Sequence, residues 1–534
     1  MLKRMFIWRV TYILNVKNKN KRMKSIIKQN KKSRDKSNRM IDDFLPKTNI
    51  ILMKNILFIL LGLLAVSCSK QTLADLNKDL KNPTIVPGNT LFSTAEKNLS
   101  DQDVSLNVNV NDFDLWSQYL TETTYTDESN YNIFTRSVPD RAWRTYYRNI
   151  LENAQRADSL IRMEKPILTS DMAVQKNRLA IIDMFMCYAW DQMETTWGNI
   201  PYSQALNINN VLPVYDDALT IHKDLIKRVT ADITALDPNN GSFGTADLIY
   251  GGDVASWMKF GNGLLIKMAI EISRVNDPAV QTLVKTTIQN AMAGTLQSSA
   301  DDAIFQYLSS TPNTNPLYVD LVLSGRSDYV AANTIINAMT GLNDPRLPLY
   351  FDQNLGANTY LGGTYGNSSA YPNFSHINPS ISNVPSFPHP LMTYSEIQFY
   401  LAEAVARNII SGNAATYFNN AVTASIVSWG GTPAQAAAYL AQSNVAYNPT
   451  NWQASIGMQA WISFYLRGYL GWTEWRRLGY PFMNEPPTPA TGVVTYPYRY
   501  PYPSGEQTLN PDNYTKAATA IGGDLMSTKL YWEK

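Results

Sequence analysis

Residues with reactive side chains are scarce in this sequence, and none is spaced as an enzyme or metal site requires. The chain has three histidines and two cysteines in 534 residues. It lacks the HExxH, GxSxG, P-loop and CxxC patterns that position metals, nucleophiles and phosphates. His376 and His389 have no acidic or Cys ligand beside them, and His222 shares a helical face with Ile226, which predicts a packed residue. We therefore expect none of these catalytic sites, no cofactor and no metal. The clustered oxygens of TDESNY (126–131) offer ligands for Ca²⁺, but the segment lacks the glycine and distal Glu of an EF-hand loop, which favours a solvated turn.

The side chains that the sequence does place together are aromatic rings with amides and hydroxyls. Flat rings supply contact area at low entropy cost, and amides and hydroxyls supply adaptable hydrogen bonds, so this mixture favours ligand binding. Residues 356–390 alternate these types within a Gly- and Pro-rich stretch, and such aromatic content favours an ordered binding loop over disorder. The predicted ligand contacts in this loop are Tyr360, Tyr365, Tyr371, Phe374, Asn367 and Asn373.

Two other stretches are weaker candidates for the same role. The segment DLWSQYLTETTYTDESNY (114–131) offers Trp116, Tyr125 and Tyr131, and the tail offers Tyr498 and Tyr502. An alternative reading makes Trp116 part of a helix core. Another makes the tyrosines of 356–390 anchors that fix a long loop to its scaffold.

The elements that must position these loops are helical. Apolar residues recur at three- and four-residue steps from Leu179 to Met193, a stretch that includes Cys187, which we predict to be a buried and unreactive thiol. Short Pro, Gly or Asn connections join neighbouring helices in pairs, as in helix–turn–helix solenoids. The other predicted helices cover 143–161, 221–236, 253–275, 279–294, 393–410, 413–428 and 453–475.

An export signal is predicted near the N-terminus. Ile56–Val66 is an apolar run of eleven residues after Lys54, too short to span a bilayer but suited to a signal peptide. The small residues before Cys68 resemble the lipobox of bacterial lipoproteins, in which the cysteine is acylated. We therefore expect a signal peptide over 53–67, lipid attachment at Cys68 and a polar tether over 68–85.

Residues 1–52 carry 15 basic and three acidic residues, and we interpret them as a mis-assigned leader upstream of a start at Met53. Residues 1–67 hold 16 of the 46 basic and three of the 44 acidic residues, so the remainder has a formal charge of −11. This charge argues against a nucleic-acid partner.

Five motifs follow one another along the chain. They are ADLIYGGDVASWMKFGNGLLIKMAIEIS (246–273), LNDPRLPLYF (342–351), MTYSEIQFYLAEAVARN (392–408), WISFYLRGYLGWTEWRRLGYP (461–481) and YPYRYPYPSGEQTLNPDNY (496–514). In this order they resemble motifs of the SusD/RagB family, outer-membrane lipoproteins of Bacteroidetes, and of its second, SusD-like branch in particular. One departure is Ala460, where the family pattern leads us to expect Lys.

The resemblance implies a mostly α fold over 86–534, in which tetratricopeptide-like helix pairs scaffold a loop-rich ligand-binding face. It also implies a surface-exposed protein, anchored to the outer membrane by lipidated Cys68, that partners a SusC-like TonB-dependent β-barrel transporter. Such proteins deliver glycans, or in some branches peptides, to the transporter without chemistry. The alternative is a secreted all-helical glycosidase or polysaccharide lyase, because Asp and Glu are plentiful enough to supply a catalytic carboxylate pair.

Overall fold

Helices make up most of the described chain, as the apolar periodicity predicts. The computed structural model describes residues 86–490, 492 and 496–534. The predictions of a leader, a signal peptide, lipidation at Cys68 and a tether concern residues 1–85 and lie outside the described residues. Within the described part, no helix combines the length and apolar composition needed to cross a membrane.

The first half of the described chain contains eight α-helices, and a π-helical segment, Thr145–Leu151, joins the third to the fourth. They are α1 (Gly88–Val104), α2 (Phe113–Trp116), α3 (Val138–Arg144), α4 (Glu152–Met163), α5 (Thr169–Trp197), α6 (Ala218–Ala235), α7 (Val254–Glu271) and α8 (Pro278–Ala291).

The second half alternates short helices with loops before a further group of longer helices. They are α9 (Pro316–Tyr318), α10 (Asn333–Gly341), α11 (Leu347–Tyr350), α12 (Pro379–Ser382), α13 (Tyr394–Ala406), α14 (Ala414–Ser428), α15 (Pro433–Leu440), α16 (Trp452–Ser463), α17 (Gly468–Leu478), α18 (Ser504–Leu509) and α19 (Pro511–Ile521).

Strands are short and serve to hold loops. β1 (Leu120–Glu122) pairs antiparallel with β3 (Tyr329–Ala331), so that Leu120 faces Ala331 and Glu122 faces Tyr329. β2 (Ala303–Phe305) pairs antiparallel with β4 (His389–Met392). Each ladder ties a loop to a segment distant in sequence.

Consecutive helices pack as neighbours, which builds the scaffold from helix pairs. Helices α4 to α8 pack each on the next, α13 packs on α14, and α16 packs on α17. The packing of α7 on α13 joins the helices of the first half to those of the second half, and α13 also packs on α16. The apolar stripes predicted from the sequence line the shared core, where Cys187 is a fully buried free thiol, as predicted.

Local sequence signals explain where the scaffold helices begin. Asp217, Asp253 and Asp277 immediately precede α6, α7 and α8, and each carboxylate accepts backbone N–H groups of the first turn. Thr393 does the same for α13. Such caps satisfy donors that have no partner within the helix.

The helix predicted over 453–475 is in fact two helices, which corrects that prediction. α16 ends at Ser463 and α17 begins at Gly468, and Leu466 between them has a left-handed φ of 60°. The break brings Gly468 against the backbone of Phe113 and Asp114, where any side chain would overlap. Apolar residues continue at helical spacing through the break, so the sequence pattern does not indicate where α16 ends.

Two arginines of the five motifs, Arg346 and Arg477, are buried and paired with carboxylates. Arg346 Nη2 lies 2.6 Å from Asp344 Oδ2, and its guanidinium also donates to Ser425, Ser463 and Gln459. Arg477 contacts Glu474 in the same helix. The contacts of Arg346 connect α14 and α16 to the DPRL turn (344–347).

Candidate functional site

Two adjoining cavities open around the loop 123–137, between β1 and α3. We call them the charged cavity, of about 250 Å³, and the aromatic cavity, of about 570 Å³. Both are lined by Thr124 and Tyr125. The charged cavity is further lined by 106–109, Glu122, Thr123, Arg136, Asp320, Ser324, Arg326, Asp328 and Tyr329, and the aromatic cavity by Thr126, Asp127, Asn130, Asn132, Phe134 and 488–490.

Exposed aromatic rings distinguish this loop from the rest of the described surface. Tyr125 is 63% exposed and Phe134 is 55% exposed, and both line the aromatic cavity. Among the described residues, the one other ring exposed to this degree is Phe482. Burial of a ring in the core needs no explanation, whereas two exposed rings in one concavity offer apolar faces to a ligand.

Amides and hydroxyls surround these rings. Asn132 Nδ2 donates to Asp127 Oδ1 at 2.8 Å, which orients both side chains at the cavity wall. Asn130 Nδ2 donates to the carbonyls of Thr126 and Gly366, each at 2.7 Å. The cavity thus combines ring faces with a partly free carboxylate and amide, which is the chemistry of neutral sugar recognition.

Contacts to distant segments hold this loop in place. Asn130 Oδ1 accepts a hydrogen bond from Thr488 N at 3.1 Å, and Asn130 O accepts one from Ala490 N at 2.8 Å. Ahead of the loop, Tyr119 Oη donates to Trp461 O at 2.6 Å. The rings are therefore carried by a backbone that is fixed at both ends, which reduces the entropy lost on binding.

The charged groups that line the charged cavity form hydrogen bonds or ion pairs with other groups of the protein. Glu122 accepts a hydrogen bond from Ser129 N at 2.9 Å, and burial together with its neighbour Glu128 raises the pKa of Glu122 to about 9. Arg136 Nε lies 2.5 Å from Glu128, and Arg326 Nε lies 2.5 Å from Asp328. Burial therefore favours the neutral form of the Glu122 carboxyl.

Several rings predicted as ligand contacts lie in the core instead. Tyr365 is 1% exposed, Trp116 is 3% exposed and Tyr131 is fully buried. Tyr131 lies between the other two, at ring-centroid distances of 6.2 Å from Trp116 and 6.4 Å from Tyr365. A ring without an open face cannot stack on a sugar, so these three rings belong to the core that packs beneath the loop.

The remaining predicted contacts of 356–390 are partly accessible. Tyr371 is half-buried, and one face of its ring is covered by His376 at a centroid distance of 3.6 Å. Tyr360 is half-buried against the core, and Phe374 is half-buried as well. Asn367 and Asn373 are exposed in turns. None of these residues lines either cavity.

The tail tyrosines also lie away from the two cavities. Tyr502 is 3% exposed and donates to Asn199 O at 2.8 Å. Tyr498 is half-buried. Of the predicted rings, Tyr125 alone is largely exposed and lines one of the two cavities.

The sequence analysis missed Phe134 and Asn132. Both follow the segment 114–131 directly, and the run NYNIFTRS continues the same mixture of amides, rings and hydroxyls. This continuation was the available signal. Nothing in the sequence indicated that the segment 488–490 would form the opposite wall.

Solved structures share this fold across nearly the whole described chain. A chitin-binding protein matches with a TM-score of 0.70 and 23% identity, covering 84% of this chain and 99% of its own. A chitin-binding SusD homologue from Flavobacterium johnsoniae matches with a TM-score of 0.70 and 21% identity, covering 83% and 98%. A SusD homologue from Bacteroides uniformis matches with a TM-score of 0.70 and 24% identity, covering 83% and 99%.

Sequence comparison identifies the family independently of the fold. No curated protein sequence matches the chain. The model of the SusD-like family, described as "Starch-binding associating with outer membrane", matches residues 79–503. The match includes the helical scaffold and the loop that carries Tyr125 and Phe134. The chain therefore belongs to the SusD-like family, in agreement with the resemblance of its motifs.

Proposed function

We propose that the protein binds a neutral glycan in the aromatic cavity and performs no chemistry on it. The observation that carries the proposal is the presence of two widely exposed rings, Tyr125 and Phe134, in one cavity with Asp127, Asn130 and Asn132. The family description as starch-binding and the chitin-binding relatives support a glycan as the ligand. Tyr371, Phe374, Asn367 and Asn373 remain candidates for a longer ligand.

The carboxylates beside the site favour binding over catalysis. A glycosidase needs two carboxyl groups about 5–9.5 Å apart that are free to act on the substrate. Asp320 Oδ2 accepts hydrogen bonds from Leu106 N at 3.0 Å and Ser105 Oγ at 3.1 Å. Glu122 and Asp328 are likewise occupied by Ser129 and Arg326. Each of these groups has a structural partner.

Titration of the purified protein with a panel of oligosaccharides tests this function. The panel contains chito-, malto-, xylo- and cello-oligosaccharides, with peptides of similar size as controls. We expect at least one oligosaccharide series to bind by calorimetry, with no new reducing ends after prolonged incubation. Binding of peptides alone would replace the proposed ligand, and release of reducing ends would indicate a glycosidase.

We also propose that the bound glycan passes to a SusC-like TonB-dependent transporter while the protein stays anchored in the outer membrane. The family description places its members at the outer membrane, and Cys68 follows the predicted signal peptide. One acyl chain gives marginal membrane binding, whereas several give stable residence. Affinity purification from native membranes should recover a β-barrel transporter, and its absence would contradict the delivery step.

The anchor has a direct test in Cys68→Ser. Because the acyl chains would be attached to the thiol, the variant should be soluble or remain unprocessed, whereas Cys187→Ser should fractionate as the wild type does. Immunoblots of membrane and soluble fractions measure the difference. Continued membrane residence of processed Cys68→Ser would show that another feature anchors the protein.

A further inference from the structure

A third pocket, of about 360 Å³, is lined by five basic side chains. We call it the basic pocket. It is also lined by Gln453, Trp475, Leu478, Gly479 and Tyr498, and it shares no lining residue with the charged and aromatic cavities. The basic side chains are Arg274, Arg407, Arg476, Arg477 and Lys529.

These cations come from separate parts of the chain. Arg274 follows α7, Arg407 follows α13, and Lys529 lies in the C-terminal segment after α19. Arg476 and Arg477 are at the end of α17. Folding thus concentrates positive charge at one place in a part of the chain whose formal charge is negative.

Buried carboxylates neutralise part of this charge. Arg477 contacts both Glu403 and Glu474, and Arg407 Nε lies 2.6 Å from Glu403. Arg476 Nη1 lies 3.8 Å from Glu533 Oε1. Three carboxylates thus pair with Arg407, Arg476 and Arg477, whereas the pocket lining itself contains five basic residues and no acidic one.

The two outermost cations have no carboxylate partner among the described residues. Arg274 is exposed and donates to the Arg477 carbonyl at 3.1 Å. Lys529 is exposed, and its Nζ lies 5.0 Å from the centre of the Tyr498 ring. The deeper arginines lie at helix ends, where carbonyl groups stabilise cations, but Lys529 is in no helix.

Titration shifts agree with an excess of positive charge. Burial, and then the neighbouring Arg407 and Arg477, lower the pKa of Arg274. Burial raises the pKa of Glu474 and of Glu533 to about 7, which favours their neutral forms. An anion in the pocket would favour the charged form of the arginines.

We propose that the basic pocket binds an oxyanion, either the carboxylate or the sulfate group of an acidic sugar. The forked donors of arginine match the geometry of oxyanions, and the rings of Trp475 and Tyr498 line the same pocket beside them. The concave shape fits a small ligand. This pocket is independent of the aromatic cavity, so either site can exist without the other.

Inorganic sulfate provides the first probe. Thermal unfolding is followed while sulfate replaces chloride at constant ionic strength, in the wild type, Lys529→Ala, Arg274→Ala and the control Lys285→Ala, which removes an exposed lysine of α8. Sulfate stabilises proteins in general through exclusion, and that effect is common to all four. We expect an additional saturable rise in Tm in the wild type and control, with half-saturation shifted at least fivefold in Lys529→Ala and Arg274→Ala.

The carrier of the oxyanion is tested by competition. Glucuronate and glucose 6-sulfate are titrated against sulfate, with glucose as the neutral control. Competition by either acidic sugar, and not by glucose, supports the proposal and identifies the group. Identical sulfate responses in all variants overturn it. Sulfate binding without competition by either sugar also overturns the ligand class and leaves an adventitious ion only. If Arg274→Ala does not fold, the sulfate response of Lys529→Ala alone is compared with that of the wild type and decides the outcome.

Discussion

His222 is a fully buried residue whose protonation couples stability to pH. Its Nδ1 lies 2.6 Å from Glu194 Oε1, and its Nε2 lies 2.7 Å from Met268 O. Burial alone would lower its pKa, but the hydrogen bond to Glu194 and the charges of Glu194, Asp191 and Glu271 raise the pKa to about 9. Lys267, paired with Asp191 and Glu271, completes this buried network.

We expect stability to fall as pH rises through the range set by His222. Its pKa is raised from 6.5 to about 9, so its contribution is complete below pH 6.5 and is lost as pH rises through 9. The shift corresponds to roughly 3 kcal/mol in the free energy of unfolding. Urea denaturation between pH 6 and 9.5 measures it, and His222→Gln should show a shallower decline than the wild type. Parallel declines would show that His222 is not the group responsible.

At the scale of residues, the sequence predicts roles better than positions. The predicted burial of Cys187 is confirmed, because an apolar helix is a local feature of the sequence. The tyrosines are different. Tyr125 and Tyr131 are six residues apart in one polar loop, yet the first is exposed and the second is buried. Which ring faces outward depends on segments such as 488–490 that are distant in sequence.

Among the elements, the junction between α16 and α17 packs closely against another segment of backbone and leaves no room for a side chain at Gly468. Gly468 packs on the backbone of Phe113 and Asp114, and Ser117 Oγ donates to its carbonyl at 2.6 Å. This junction therefore fixes α2, which leads into β1 and the loop of the candidate site.

We predict that Gly468→Ala destabilises the fold by about 1–3 kcal/mol, because the added methyl group must displace backbone atoms. Gly505→Ala is the matched control. Its Cβ would meet Leu509 Cδ1 at 3.9 Å, and alanine in a helix should be neutral or slightly stabilising. Chemical denaturation compares the two variants, and equal midpoints would contradict the close packing at Gly468.

Element prediction succeeds where periodicity and caps coincide. The helices near 221–236, 253–275 and 279–294 are confirmed as α6, α7 and α8, since an Asp cap precedes each apolar stripe. The loops 123–137 and 356–390 have no repeating pattern. Their conformations follow from tertiary contacts such as the pairing of β1 with β3, which sequence alone does not indicate.

At the scale of the whole molecule, the helices form the scaffold and the loops carry the exposed rings. The family match and the shared fold cover the scaffold, whereas the rings of the aromatic cavity belong to one loop on it. Identity to the solved relatives is 24% or less in the three comparisons, so a conserved fold leaves the ligand free to differ. We therefore expect Tyr125 and Phe134 to be the rings that bind the ligand.

The most direct test is calorimetric titration of Tyr125→Ala and Phe134→Ala with the tightest-binding oligosaccharide of the panel. Phe482→Ala is the matched control, because that ring is 81% exposed and lines neither cavity. Loss of a stacking ring should weaken binding by about 0.5–1.5 kcal/mol in each site variant, with the melting temperature preserved. Phe482→Ala should bind as the wild type does. Wild-type affinity in both site variants would contradict the account.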